Sequence, residues 1–304
     1  MSHSSVLVSL TTKDNDYQRA EAASVEGIAR RSGLHIEVVY ADNNSVTQTQ
    51  QILSAIQRKN NDLGAILSEP VGTGMLQVAE AAAKAGIAWA ILNRDIDYAS
   101  RLQQATGSMV FEVSVDQEAV GHIHAAQLSR LIPSGGSVLY IEGPAGGTAA
   151  RLRTHGTTAK KPSNIELKVL KGEWTEDSAC KAVSSWLKLS TSKSHGFAAV
   201  VAQNDAMAMG ARHAFSELTD RSEQSAWLAK PHLGCDGLPE TGRQFVQKGL
   251  LAATVIYPLV AGMALEMWMK AKSSGSLPPE RTLAAPTSYP PLEALRPLTA
   301  PATT

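Results

Sequence analysis

The chain has 304 residues, which is too long for one small core and suits two lobes of ~100–200 residues each. Its 28 Lys and Arg balance 28 Asp and Glu, so there is no net positive field to hold a polyanion, which argues against direct nucleic-acid binding. Apolar residues make up 43%, enough for packed cores, and two cysteines exclude both a disulfide scaffold and a cysteine-rich zinc site. No apolar run reaches ~18 residues, so we expect no membrane span.

Short apolar runs alternate with amphipathic stretches in the first part of the chain. The apolar runs predict strands at Ser5–Leu10, His35–Tyr40, Leu63–Leu67 and Ala88–Leu92. The amphipathic stretches between them predict helices at Gln18–Arg31, Val46–Lys59 and Leu76–Ala85.

The same alternation resumes in the second part. Strands are predicted at Ser137–Ile141, Ile165–Leu170, Ala198–Ala202, Pro231–Cys235 and Ala252–Ile256. Helices are predicted at Glu118–Leu131, through Ala149–Arg153, and at Asp177–Leu189, Asp205–Leu218 and Leu238–Lys248. Apolar strands separated by helices indicate an α/β protein with two doubly wound parallel sheets, one in each lobe. Ligands of such sheets bind outside the carboxyl ends of the strands.

The end of the chain differs in composition. Residues 278–304 hold seven of the 14 prolines, so we interpret 281–304 as an extended strap with a loose terminus.

Motifs for cofactor chemistry are missing from the turns where they would be needed. The first strand-to-helix turn, residues 11–17, has no glycine, which excludes a dinucleotide site there. The glycine-rich turn 143–148 lacks a following Gly-Lys-Ser/Thr, so we favour a tight turn over a phosphate cradle. There is no Gly-x-Ser-x-Gly elbow. We therefore expect no cofactor and no enzymatic activity.

A metal site is not favoured either. His122 and His124 are two residues apart on a predicted helix, so their rings diverge. Glu118 and His122 are four apart, but no third ligand follows, and we interpret these as solvated helix side chains. Cys180 and Cys235 are interpreted as small buried residues.

Two aromatic residues stand out because of their positions between a predicted strand and the helix that follows it. Tyr17 and Trp174 lie in strand-to-helix turns, where an aromatic ring can serve a binding site or simply pack. The residues alone leave both readings open.

Several turns resemble those of ribose-binding-like (type I) periplasmic sugar-binding proteins over roughly residues 5–285. Residues 202–210 (AQNDAMAMG) are similar to the family's A-Q-N-D-x-M-A-x-G signature. Residues 233–237 (LGCDG) resemble its G-x-D-G strand end, and 250–255 (LLAATV) its hinge strand. Residues 143–153 (GPAGGTAARLR) are similar to its glycine-rich turn leading to a ligand arginine.

The resemblance implies two α/β lobes joined by a three-crossing hinge that closes on a sugar. It implies an N-terminal lobe of residues 1–114 plus 257–280, a C-terminal lobe of 115–256, and the strap 281–304. The ligand residues it implies are Asn15, Tyr17, Glu69, Asn93, Arg94, Arg153, Trp174, Asn204, Asp236 and Tyr257. Such a set suits a sugar, since amides, carboxylates and guanidinium groups serve hydroxyls while aromatic rings cover C–H faces.

The sequence also departs from the family pattern at several of these positions. Asn93 stands where the family usually has aspartate, and Glu69 stands at a usually neutral position. Gln18 replaces a second aromatic, Tyr257 a hinge glutamine and Val115 a hinge serine. Asn93 weakens one hydroxyl acceptor and Glu69 can supply another, so a pentose, hexose, polyol or other sugar derivative stays open.

The resemblance implies a non-enzymatic receptor for a monosaccharide or polyol that serves an ABC transporter permease or a membrane sensor, as a monomer and in the periplasm. The start of the chain lacks signal-peptide features, so a cytoplasmic location is expected if Met1 is the native start. The alternative is a cytoplasmic sugar-sensing effector module without a DNA-binding domain of its own, because no room for a DNA reader precedes the first strand.

Overall fold

The structure is a computed structural model that describes residues 5–58, 62–72, 75–94, 96–189, 193 and 196–297. Three sequence-based expectations fall partly outside these ranges: the first four residues of the N-terminus, the predicted helix end at Lys59, and the last seven residues of the tail. No helix in the described ranges is both long and apolar enough to cross a bilayer.

The chain divides into two compact units. The first contains the described residues up to Val115 together with Leu259–Ala284, and the second contains Asp116–Pro258 and the described residues from Ala285 onward. The chain therefore passes from one unit to the other three times along its sequence, as the resemblance implied.

The first unit is built on a six-stranded parallel sheet. Its strands are β1 (Ser5–Leu10), β2 (His35–Tyr40), β3 (Leu63–Ser68), β4 (Ala88–Leu92), β5 (Val110–Val115) and, from the end of the chain, β11 (Arg281–Ala284). The order across the sheet is β11-β5-β4-β3-β1-β2, with every pair parallel. Its helices are α1 (Asp16–Ser32), α2 (Ser45–Ile56), α3 (Leu76–Lys84), α4 (Ala99–Thr106) and α11 (Val260–Ser274).

The second unit repeats this plan. Its strands are β6 (Gly136–Glu142), β7 (Ile165–Lys171), β8 (Phe197–Ala202), β9 (His232–Asp236), β10 (Ala253–Ile256) and β12 (Thr287–Tyr289). The order is β12-β10-β9-β8-β6-β7, and only β12 runs antiparallel to its neighbour. The helices are α5 (Gln117–Leu131), α6 (Thr148–Lys160), α7 (Glu176–Trp186), α8 (Asp205–Ser216), α9 (Arg221–Leu228) and α10 (Gly242–Gln247).

These two sheets confirm the expected doubly wound α/β fold. In each sheet, the first strand lies next to the edge strand, which is the second strand in sequence, and the later strands are added on its other side. The direction changes between β1 and β3 in the first sheet and between β6 and β8 in the second. The carboxyl ends of strands at such switch points are where ligands of open parallel sheets bind.

The central strands are buried on both faces. All six residues of β5 are buried, and the run from Val138 to Ile141 in β6 is fully buried. Helix boundaries follow local chemistry: the Asn15 side chain caps α1, and Gly33 ends it in the left-handed conformation that glycine adopts at least cost.

Strand β5 is absent from the sequence-based prediction. Its sequence VFEVSV carries Glu112 and Ser114 inside an apolar run, and that pattern does not indicate a fully buried strand. The structure accommodates Glu112 because Arg281 of β11, 169 positions later, places its Nε 3.1 Å from the carboxylate. Such a partner cannot be identified from local sequence.

Two further expectations need correction. Cys180 is half-buried on α7 rather than buried, while Cys235 is buried as expected. The segment 281–304 is more than a strap, since it supplies β11 to the first sheet and β12 to the second.

Candidate functional site

Polar side chains of the first unit gather around Glu69, the residue that follows β3. Gln18 Nε2 donates to Glu69 Oε2 at 2.9 Å, and Asn93 Nδ2 donates to the same oxygen at 3.3 Å. The guanidinium of Arg94 lies 3.7 Å from Glu69 Oε1. The carboxylate is buried, so these donors and the nearby cation offset the cost of removing its charge from water.

Asn15 and Tyr17 lie at the start of α1. Asn93 Nδ2 lies 3.2 Å from the Tyr17 hydroxyl, and the Tyr17 ring is buried. The side-chain oxygen Oδ1 of Asn15 accepts from Gln18 N at 3.2 Å, so Asn15 caps the helix. We call Asn15, Tyr17, Glu69, Asn93 and Arg94 the first cluster. The structure brings all five to the carboxyl ends of β1, β3 and β4.

A buried arginine organises the second unit. Arg153 Nε donates to Gln117 Oε1 at 2.8 Å, and a terminal nitrogen donates to the carbonyl of Gln203. Its guanidinium carbon lies 4.7 Å from the centre of the Tyr257 ring and 5.3 Å from the centre of the Trp174 ring. Arg153 thus makes cation–π contacts with two aromatic rings.

The protonation state of Arg153 is secure despite its burial. Burial alone would lower the pKa of its guanidinium, but Cys235, Tyr257 and Asp236 nearby raise it, and the net pKa lies above its ordinary value. A permanent positive charge is therefore held at the carboxyl edge of the second sheet. Such a charge suits strong hydrogen bonds to ligand oxygens.

The α5–α6 pair sets the position of Arg153. A Cβ on Gly121 would lie 2.2 Å from the Arg153 carbonyl oxygen, and a Cβ on Gly156 would lie 2.3 Å from the Glu118 carbonyl oxygen. The two helices therefore approach closely through glycines. This approach places Arg153 of α6 against Gln117, the first residue of α5.

Trp174 rests on Gly143, the residue that follows β6. A Cβ at Gly143 would come within 2.3 Å of the indole ring, so only glycine leaves room for the ring in this position. The Gly143 amide donates to Gln203 Oε1 at 2.9 Å. The glycine-rich turn therefore serves both as a tight turn, as expected, and as the surface against which the Trp174 ring packs.

The remaining predicted residues follow β8, β9 and β10. Asn204 caps α8 and donates from Nδ2 to the Trp174 carbonyl at 2.9 Å. Asp236 ends β9, and its carbonyl accepts from Tyr257 N at 3.0 Å. The Tyr257 hydroxyl accepts from Gln117 Nε2. We call Arg153, Trp174, Asn204, Asp236 and Tyr257 the second cluster, since the structure brings them together at one edge of the second sheet.

Backbone strain is concentrated in these clusters. Among the described residues other than glycine, five have a positive φ, and three of them are the predicted ligand residues Asn93 (53°), Trp174 (64°) and Asp236 (117°). Each follows or ends a different strand. A bulky residue in this region costs ~1–3 kcal/mol, and such strain is typical of functional sites.

Several structurally important residues were missed by the sequence analysis. Gln203 is fully buried and its amide nitrogen lies within hydrogen-bond distance of three acceptors, the Tyr140 hydroxyl, the Ala150 carbonyl and Thr154 Oγ1, so it fixes the base of the second cluster. Asp205 accepts from Thr254 Oγ1 at 2.7 Å and from Gly237 N at 2.8 Å. Both lie inside the quoted A-Q-N-D motif, which was the available signal. Gln117 and Glu21 had no comparable motif.

His124, the second histidine of the pair on α5, is fully buried, and its Nε2 lies 3.0 Å from the Gly234 carbonyl. Burial lowers the pKa of His124 to about 4, so the ring is neutral. His122 is half-buried, and Glu118 instead lies 3.2 Å from Nδ1 of His155. In the described parts of the chain, no group of three or more His, Cys, Asp or Glu side chains is placed to hold a metal ion.

Comparison with known proteins identifies relatives. The family model described as "Periplasmic binding protein domain" matches residues 6–271. A curated xylitol-binding protein of Mycolicibacterium smegmatis is 28% identical over 242 residues, covering 76% of this chain and 63% of that protein. The aligned part is thus less than two thirds of the relative's length.

Solved structures show the same fold. A galactofuranose binding protein has a TM-score of 0.81 at 23% identity and covers 94% of both chains. A solute binding protein of Actinobacillus succinogenes with bound D-allose has a TM-score of 0.79 at 20% identity, covering 94% of this chain and 96% of the other. The family resemblance seen in the turn motifs is confirmed, and the effector-module alternative is not favoured.

Proposed function

The chain belongs to the periplasmic binding protein domain family, and on that premise we propose that it binds a monosaccharide or polyol without transforming it. The observation that carries the proposal is the positive-φ backbone at Asn93, Trp174 and Asp236, strained at Trp174 and Asp236, which holds polar and aromatic side chains at three strand ends. Strain of this kind is retained where a particular side-chain position matters more than stability.

The chemistry of both clusters suits a hydroxyl-rich ligand. The first cluster offers the Glu69 carboxylate and amide groups beside the cation of Arg94, and the second offers the buried Arg153 with Asn204 and Asp236. Hydroxyls donate and accept at once, so they need acceptors and donors together. The Tyr17 and Trp174 rings provide apolar faces for C–H groups. The xylitol-binding relative supports the inclusion of polyols among the candidates.

The partner and location follow from the family. We propose that the loaded protein serves a membrane partner, an ABC permease or a sensor, in the periplasm. The family description supports the location.

A ligand screen followed by two substitutions tests the proposal. Thermal unfolding is measured with pentoses, hexoses, polyols and furanose sugars, since a ligand that binds only the folded state stabilises it by ~2.7 kcal/mol at 100 times its Kd. The affinity for the best ligand is then measured by calorimetry. Arg153→Ala and Asp236→Ala are expected to weaken binding by ~2–5 kcal/mol, because each leaves a ligand polar group unpaired.

Arg151→Ala provides the matched control. Arg151 lies on the same helix two residues before Arg153 but is exposed, so its removal is expected to leave the affinity unchanged. Circular dichroism checks that each variant is folded. Folded variants of Arg153 and Asp236 with wild-type affinity, or no stabilisation by any sugar or polyol, would contradict the proposal.

A further inference from the structure

A fully buried carboxylate lies behind the first cluster. Glu21 is on α1, one turn after Tyr17, and its side chain is 0% exposed. Its oxygens accept from the backbone amides of Val260 at 2.9 Å and Ala261 at 2.8 Å, the first two residues of α11. The Tyr17 hydroxyl contacts Glu21 Oε1. All of these groups belong to the first unit.

Ionised Glu21 determines which group donates in each hydrogen bond between it and Asn93. An ionised carboxylate only accepts, so the Tyr17 hydroxyl donates its proton to Glu21. The Tyr17 oxygen is then an acceptor, and Asn93 Nδ2 donates to it at 3.2 Å. The same Nδ2 donates to Glu69 Oε2 at 3.3 Å. With its nitrogen directed at two acceptors, the Asn93 amide has one preferred orientation.

We propose that Glu21 is a positioning residue for ligand binding, which acts through Tyr17 to fix the orientation of the Asn93 amide. The inference rests on the proposed sugar-binding function. Glu21 itself does not need to touch the ligand. Its role is to orient Asn93 so that the side-chain oxygen Oδ1 can accept a hydrogen bond from a ligand hydroxyl. The family usually has an aspartate at this position.

The charge on Glu21 depends on pH in the neutral range. Burial raises the pKa of Glu21 and outweighs the hydrogen bonds from Tyr17, Ala261 and Val260, which lower it. The net pKa is about 7. The titratable groups that act on it are Tyr17 on its own helix and Glu69 after β3, whose negative charge raises the pKa further. From α11 the contacts are the two backbone amides.

Protonation of Glu21 disturbs the series of hydrogen bonds that connects it through Tyr17 to Asn93. A protonated Glu21 carries a donor, which competes with the Tyr17 hydroxyl for the same contact. If binding requires the ionised form, then affinity approaches its full value at pH 8 and above and falls as the pH drops through 7. With a pKa of about 7 and no binding by the protonated form, we expect about a tenfold loss between pH 8 and pH 6.

The test compares pH profiles of binding by calorimetry at pH 6, 7 and 8, using the best sugar or polyol from the screen. Glu21→Gln keeps the shape but cannot ionise, and its amide nitrogen faces groups that are themselves donors. We expect weaker binding and a flat pH profile. Glu26→Gln is the matched control, since Glu26 is exposed on the same helix, and it is expected to retain the wild-type profile.

A second variant covers the case in which Glu21→Gln fails to fold. Tyr17→Phe keeps the ring and the contacts between Glu21 and α11 but removes the link to Asn93, so it is also expected to flatten the profile. Wild-type affinity and pH dependence in folded Glu21→Gln or in Tyr17→Phe would overturn the positioning role alone. Absence of sugar binding by the wild type would contradict the proposed function and this inference with it.

Discussion

The carboxylate of the first cluster stands on residue 69 instead of residue 93. Glu69 Oε2 lies 3.3 Å from Asn93 Nδ2, so its charge is adjacent to the place where the family usually has an aspartate. The exchange keeps one carboxylate and one amide but moves the acceptor to another strand end. We expect this change of position to alter which ligand hydroxyls form the strongest hydrogen bonds with the cluster.

Exchanging the side chains of Glu69 and Asn93 tests whether Glu69 replaces the family's aspartate as the acceptor. Glu69→Gln is expected to weaken binding by about 2 kcal/mol, because a charge-assisted hydrogen bond is lost. Adding Asn93→Asp restores a carboxylate to the cluster and is expected to recover part of the affinity, with a changed order of preference in the sugar panel. Asn93→Asp alone places two carboxylates side by side and is expected to weaken binding.

The left-handed backbone at Asn93 does not confound this comparison, since aspartate tolerates that region about as well as asparagine. Calorimetry on the four proteins gives the coupling energy between the two positions. Additive effects, with no recovery in the double variant, would mean that Glu69 does not replace the missing aspartate.

At the scale of elements, the apolar strands were largely predictable from sequence. Burial on both faces makes a parallel strand a continuous apolar run, as in β1 and β4. The candidate ligand residues could be proposed because their motifs follow these strands. Strand β5 and Glu21 were not predictable, because the groups that satisfy their buried charges come from β11 and α11, more than 160 residues away.

The close approach of α5 and α6 is an element-scale feature with a direct test. Gly121→Ala puts a methyl group 2.2 Å from the Arg153 carbonyl oxygen, and because the obstacle is backbone, the helices must separate. We expect a loss of about 1–3 kcal/mol in unfolding free energy and weaker ligand binding, since Arg153 moves with α6. Chemical denaturation and calorimetry measure the two effects.

Gly27→Ala is the matched control. Gly27 lies within α1, and a methyl there would be 3.6 Å from the flexible Arg31 side chain. Alanine is the better helix former, so we expect a gain of about 0.5–1 kcal/mol with unchanged binding. A Gly121→Ala protein as stable and as tightly binding as the wild type would show that the helix contact does not hold Arg153.

At the scale of the whole molecule, the two units carry buried titratable groups that change stability in opposite directions as the pH falls. In the second unit, burial lowers the pKa of His124 to about 4 and that of His232 to about 3. Both are neutral when folded, whereas the unfolded chain takes up protons below pH 6.5. Stability of this unit is therefore expected to fall as the pH drops from 6.5 toward 4.

Glu21 gives the first unit the reverse dependence. Its pKa is about 7 when folded and 4.5 when unfolded, so the folded state binds more protons between these values. Its contribution to stability rises as the pH drops from 7 to 4.5, by up to about 3 kcal/mol for a shift of ~2.5 units. Acidification to pH 5 is thus expected to destabilise the second unit relative to the first.

Hydrogen-exchange mass spectrometry on the intact chain measures this difference directly, with rates at pH 7 and pH 5 corrected for intrinsic exchange. We expect protection to fall in β8 and β9 while it holds or rises in β1 and α1. A His124→Gln, His232→Asn variant removes both titrations while keeping a donor nitrogen near Gly234 and Lys230, and should retain protection at pH 5. If both units lose protection equally at pH 5 in the wild type, the prediction is wrong. The buried histidines would then not destabilise the second unit relative to the first, and Glu21 would not stabilise the first.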